Sequence, residues 1–293
     1  MIRRLLAATL ILTLAVSAPA AANVGPKIAY STQTEVYLIN PDGTGKVRLH
    51  RSKSNDFISS VSLRPGGGQI AFVENWAVKF IDFDVAGRPV GSIRTITPSC
   101  YRLFNVRYHP DGNSVLFHEL CGDKSEIKQS PVPSAAVPKP AATVLFTENT
   151  SADRLLESAW DPSGSSIVYS IGTATQYELR RLTLGGSDEL LFARTSEQIR
   201  YPDVSPDGTR ILISNYALGT TLGVGYTNEF NTQDGSFGPN FKGQYARYEP
   251  DGSRIAYIDY ETYNARYLRI RSADGLTAQI GGKAVYWSVD WRK

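Results

Sequence analysis

"RYHPDGNSVLF", Arg107–Phe117, reads as strand, turn, strand. Two apolar segments flank Pro110-Asp111-Gly112; proline pre-sets the first turn dihedral and glycine accepts the positive φ that a tight reversal needs. The phrase recurs as "DVSPDGTRILI" (Asp203–Ile213) and "RYEPDGSRIAY" (Arg247–Tyr257), and more loosely as "LRPGGGQIAF" around Pro65 and "WDPSGSSIVY" around Pro162. The five prolines are spaced by 45, 52, 44 and 44 residues. Each is followed by Gly two positions on and by an apolar triplet starting five positions on, from Ile70-Ala71-Phe72 to Ile255-Ala256-Tyr257. A period of this size means one supersecondary unit per repeat. Four strands fit a unit of about 45 residues.

The ends complete the count. Ile28-Ala29-Tyr30 matches the triplet but lacks the strand that should precede it. "AVYWSVDWRK" at the other end resembles that strand, with Trp291 falling where Leu63, Tyr108, Trp160, Val204 and Tyr248 fall. The C-terminal segment is therefore expected to supply the innermost strand of the first unit and close a ring that has no open sheet edge. Phases at 23, 65, 110, 162, 206 and 250 make six units. The predicted fold is all-β: a six-bladed β-propeller of four-stranded antiparallel blades. The third unit is longer than the rest, and its excess, Ser130–Ala142, carries Pro131, Pro133, Pro138 and Pro140, which cannot join a continuous ladder. It is expected to be a stiff exposed loop, either a tolerated insertion or a proline-rich docking segment.

The "SPDG…IAF/Y" phrase, repeated over nearly the whole chain after its first residues, resembles the TolB-type propeller repeat, a relative of the WD-repeat propellers. TolB joins an N-terminal α/β domain to a six-bladed propeller that binds envelope partners and peptides. The repeats here begin within a few residues of the leader described next, so the N-terminal domain is expected to be absent. What the resemblance implies is the fold and a bias towards binding proteins.

Residues 1–22 read as a secretory signal peptide. Arg3 and Arg4 precede the apolar run Leu5–Ala18, which is shorter than the about 20 residues a spanning helix needs, and small residues follow in the Ala-x-Ala pattern. Cleavage is expected before Ala21 or Asn23, leaving residues 23–293 as a single propeller domain. The mature protein is expected in the periplasm or outside the cell, without stable membrane insertion. Removing Arg3 and Arg4 from the 31 basic residues leaves 29 against 28 acidic ones. A nearly neutral chain argues against bulk electrostatic capture of nucleic acid.

Cys100 and Cys121 are equidistant from the centre of the Pro110-Asp111 turn, so they are placed to face each other at the far end of one hairpin. In an oxidising compartment they are expected to pair, with a contribution on the order of 3 kcal/mol. Two cysteines without a CxxC spacing and three scattered histidines, His50, His109 and His118, make a poor metal set. Neither a metal nor another cofactor is expected. The chain has no Gly-x-Ser-x-Gly elbow and no phosphate-binding glycine loop. The Asp-Gly pairs read as turns.

The candidate site lies on the innermost strands. Three positions before each phase stand Ser62, Arg107, Ala159, Asp203, Arg247 and Asp290. Strand alternation turns these away from the large apolar residues one position later. Asp203, Arg247 and Asp290 come from consecutive blades and are expected to form alternating charges near the central channel. Glu157, Tyr201, Tyr245 and Ser288 lie one step nearer the rim, with Phe104 and Trp287 beside them. Arg107, Asp203, Arg247, Asp290, Tyr201, Tyr245, Trp287 and Phe104 are thus the predicted mouth. It is read either as a recognition site or as inter-blade salt bridging. The expected role is non-catalytic binding of a protein, peptide or envelope component by a monomer. The alternatives are a propeller lyase or hydrolase acting on a saccharide or small ester, and a structural remnant with no pocket.

Overall fold

The computed structural model describes residues 27–53, 56–149, 154–173, 175–217, 225–262, 265–284 and 286–292. The expected signal peptide therefore lies outside the described residues. These fold as six four-stranded antiparallel sheets set around an axis, a six-bladed β-propeller. Blade 1 holds Lys27–Thr32, Glu35–Ile39 and Val47–Arg51, and its innermost strand is Tyr286–Arg292 from the far end of the chain. Ile28 pairs with Trp291, Ala29 with Asp290 and Tyr30 with Val289, so the ring closes as the repeat phase requires. The innermost strands of blades 2 to 6 are Ile58–Leu63, Arg102–Tyr108, Arg154–Trp160, Glu197–Val204 and Gln244–Tyr248. No helix among the described residues is long and apolar enough to cross a membrane.

The core is divided between blade seams. The apolar residue two before each phase reaches the blade behind it. Tyr108 packs among Ala71, Val73 and Phe80, Trp160 against Leu116 and Ile127, and Trp291 against Ala256, Ile258 and Leu268. Burying each such side chain is worth about 1.5–3 kcal/mol, so every seam contributes and none is dispensable. The Pro-x-Gly turns close as read: Gly112 N–H reaches His109 O and Gly252 N–H reaches Glu249 O, with both glycines at positive φ.

Each innermost strand carries a register shift, as between Phe104 and Arg107, Arg200 and Asp203, and Gln244 and Arg247. Asn105, Tyr201 and Tyr245, all five positions before their phase, sit there at φ of 54°, 52° and 55°. The extra residue bends the strand and re-aims its side chains. In blade 3 the segment after Pro131 runs as an exposed loop to Thr143–Glu148, with Pro133 its one buried proline. In blade 5 the outer strands are Tyr226–Asn231 and Phe241–Lys242; residues 218–224 lie outside the described set.

Candidate functional site

The innermost strand of every blade is a sheet edge, and an edge leaves backbone N–H groups without sheet partners. At blades 2, 3, 5 and 6 side chains from the preceding blade supply them. Asp290 of blade 1 accepts from Leu63 N–H of blade 2 at 2.7 Å. Ser62 of blade 2 accepts from Tyr108 N–H of blade 3 at 3.1 Å. Asp203 of blade 5 accepts from Tyr248 N–H of blade 6 at 2.9 Å. Two positions earlier the pattern repeats: Ser288 accepts from Val61 N–H, and Ser60 from Val106 N–H, each at 3.2 Å. Where the positions three and five before the phase carry Ser or Asp, they are thus seam acceptors. Ser and Asp serve equally because what they share is a short side chain ending in a lone pair. Reading them for charge alone concealed this; the recurrence of Ser and Asp at one phase was the available signal.

The arginines at the same phase behave differently. Arg107 donates from Nη1 to Val61 O at 3.0 Å, and Arg247 donates from Nη1 to Ala246 O at 2.8 Å and Tyr201 O at 3.2 Å. Neither forms an ion pair among the described residues, so the expected alternating ring of charges is replaced by arginines on backbone carbonyls. Asp203 and Asp290 instead flank Arg292, each with an oxygen 3.8 Å from its Nη2. Burial raises the Asp203 carboxyl to about 6, against the pull of Arg292 and the Tyr248 N–H. Burial also lowers Arg107, the Asp290 and Asp203 charges opposing it.

At the end of the channel where the innermost strands begin, a cavity of about 280 Å³ opens on the axis. All six blades line it. Arg107 and Arg247 meet it, as do Ser60, Ser288, Asn105 and the ion pair Glu157–Arg200. Its aromatic residues are Phe57, Trp76, Phe104, Tyr201, Tyr245 and Trp287. Six of the eight predicted mouth residues therefore come together: Arg107, Arg247, Tyr201, Tyr245, Trp287 and Phe104. Asp203 and Asp290 do not line this cavity; their carboxylates are engaged in the seams. Tyr201 and Tyr245 stack with centroids 3.9 Å apart and hydroxyls 2.9 Å apart, a contact that their left-handed backbones allow. Burial pushes both phenols above the ordinary tyrosine range. Phe57 meets Trp287 edge-on at 4.8 Å.

Phe57 and Trp76 were not anticipated. Both stand in the loops rather than at a repeat phase, and both remain exposed, by 40% and 42%. Trp76 occupies the two-residue turn Asn75-Trp76 at φ 61°, a place that favours Gly or Asn. A bulky residue held there is costly. Arg102 lies over its ring at 4.6 Å. At the opposite end of the channel, the repeat prolines Pro65, Pro110, Pro162, Pro206 and Pro250 encircle a second cavity of about 270 Å³.

Cys100 and Cys121 are joined in a disulfide that ties the entry of blade 3 to its second strand. Beside it Glu119 accepts from Cys100 N–H at 2.7 Å and pairs with Lys128 at 2.6 Å. His118 is fully buried with Nε2 2.8 Å from Ser158 Oγ, and burial lowers it to about 3. His109 rests edge-on against Trp160 with its Nδ1 2.8 Å from Asp111. The two histidines serve different neighbours and do not meet across the hairpin.

Fold and site together define a six-bladed propeller closed by its last strand, with a channel mouth rimmed by aromatic residues. The chain has the TolB-like form of that fold. It is similar to the crystal structure of TolB from Acinetobacter baumannii, with a TM-score of 0.72 and 17% identity over 92% of this chain and 67% of that one. A putative TolB from Agrobacterium tumefaciens gives a TM-score of 0.65 and 14% identity, covering 87% of this chain and 92% of that one. A chain of a nidogen/laminin complex gives 0.68 and 9%, covering 92% and 99%. At these identities the likeness shows the fold. No family model matches the chain, and no curated protein does.

Proposed function

We propose that this protein is an exported, non-catalytic propeller that binds a protein or peptide segment of the cell envelope at the aromatic mouth. The observation that carries this reading is the mouth itself: an axial cavity of about 280 Å³ whose rim keeps Phe57 and Trp76 in solvent, with Phe104, Tyr201, Tyr245 and Trp287 below them. Exposed aromatics around a pocket are the composition of binding hot spots. The carboxylate that lines the cavity, Glu157, is tied to Arg200 and to Tyr201 N–H, which favours recognition over acid–base chemistry. The disulfide fits an oxidising compartment, and with the leader in residues 1–22 it supports export to the periplasm or beyond. Residues 23–293 then act as one domain, as a monomer.

Selection of random peptides displayed on phage tests this. Peptides enriched on the wild-type protein should be lost on Trp287→Ala and on the double variant Phe57→Ala/Trp76→Ala. Enrichment that survives both, or no enrichment on the wild type, would overturn it.

A further inference from the structure

We propose that the floor of the mouth is a carboxylate seat, in which Arg107 and Arg247 grip a carboxylate carried by the bound segment, either its chain terminus or an Asp or Glu side chain. This rests on the binding reading above and specifies the chemistry of its ligand.

Arg247 is fully buried and Arg107 is 3% exposed, yet both line the cavity. Each spends Nη1 on backbone carbonyls. Arg107 Nε and Arg247 Nε and Nη2 find no hydrogen-bond partner among the described residues. Leaving guanidinium N–H groups dry and unpaired is expensive. The nearby acids are committed elsewhere: Asp290 to Leu63 N–H and Arg292, Asp203 to Tyr248 N–H and Arg292, and Glu157 to Arg200. Arg107 belongs to blade 3 and Arg247 to blade 6, half a ring apart, and both line the one cavity.

A guanidinium fork matches the two oxygens of a carboxylate. The cavity is lined by three arginines, Arg107, Arg200 and Arg247, and its one lining carboxylate, Glu157, is already held by Arg200. Arg107 and Arg247 are thus left to meet an anion of the ligand. The aromatic wall above the floor then takes the residue that bears the carboxylate.

The test uses three probes and the full chain labelled with ¹⁵N, read at the indole N–H signals of Trp76 and Trp287. N-acetyl-L-phenylalanine offers a terminal carboxylate, N-acetyl-L-glutamic acid 1-amide a side-chain carboxylate, and N-acetyl-L-phenylalaninamide neither. At least one acid should shift these signals saturably and bind at least about tenfold more tightly than the amide; which acid wins identifies the source. Inorganic phosphate should not displace it at equal concentration. Arg247→Lys and Arg107→Lys, checked for folding by the remaining spectrum, should each weaken the preferred acid by about tenfold or more. Equal affinity for acid and amide, or no response to either acid, would overturn the seat even if phage peptides bind at the rim. An acid-specific response without any selected peptide would leave the seat standing and remove the peptide reading.

Discussion

Asp290 offers a sharp test of how the ring is held shut. It is fully buried on the closing strand, and its Oδ2 accepts from Leu63 N–H at 2.7 Å while Ser62 Oγ lies at 3.4 Å. Its other oxygen stands 3.8 Å from Arg292. Asp290→Ala leaves a buried N–H without its charged acceptor, a loss of about 1–3 kcal/mol. It also removes one of the two carboxylates around Arg292 and the foremost electrostatic attraction on Arg107. Breaking a buried pair costs about 3–5 kcal/mol, but Arg292 is 30% exposed, so solvent screens part of this. The sum expected is about 3–4 kcal/mol. Asp290→Asn keeps an acceptor for Leu63 and loses only charge, so about 1–2 kcal/mol is expected. Urea denaturation followed by tryptophan fluorescence measures both, since Trp287 and Trp291 lie on the same strand. An alanine variant within about 0.5 kcal/mol of wild type, or equal to the asparagine variant, would refute the claim that side-chain acceptors stitch the blades.

Asp203, raised to about 6 from 3.8, binds its proton more tightly in the folded state. Its stabilising effect is therefore fully present below pH 3.8 and is lost as pH rises through 6, by up to about 3 kcal/mol. The stability of Asp203→Asn relative to wild type should improve by that order between pH 4 and pH 7, measured by urea titration at each pH. His118, lowered to about 3, acts in the opposite sense: its contribution is present above pH 6.5 and is lost as pH falls through 3, so His118→Gln should flatten the acid limb of thermal stability. The double variant Cys100→Ser/Cys121→Ser opens a loop with a sequence separation of 21 and should lose about 3 kcal/mol in the same assay. At Gly243, with φ 140°, an added Cβ would meet Tyr257 Cδ2 at 2.4 Å, so Gly243→Ala should lower Tm by several degrees, roughly 1–3 kcal/mol.

The fold was legible because its signal is written in turn chemistry at a fixed phase. Pro65 through Pro250 place the first hairpin of blades 2 to 6, and Trp291 marks the missing strand by its phase alone. The site was legible only where it shares that phase. Arg107, Arg247, Tyr201 and Tyr245 lie on the innermost strands and were found together. Asp203 and Asp290 share the phase of Arg107 and Arg247, but their short side chains end at the next blade's backbone N–H groups, whereas the longer arginines meet the cavity. Phe57 and Trp76 come from connections whose length and aim no repeat encodes. Tyr201 and Tyr245 stack across two blades, a contact between residues 44 apart that no local propensity announces.

The pairing of Lys27–Thr32 with Tyr286–Arg292 also sets a timetable. Five blades take all their strands from contiguous chain, but the sheet that starts first waits for a strand some 260 positions downstream. During synthesis its edge at Tyr30 stays uncovered, a template for any stray strand nearby. Slow, late docking of this segment would govern both the yield of the circular form and its vulnerability to proteases acting on the unfinished chain.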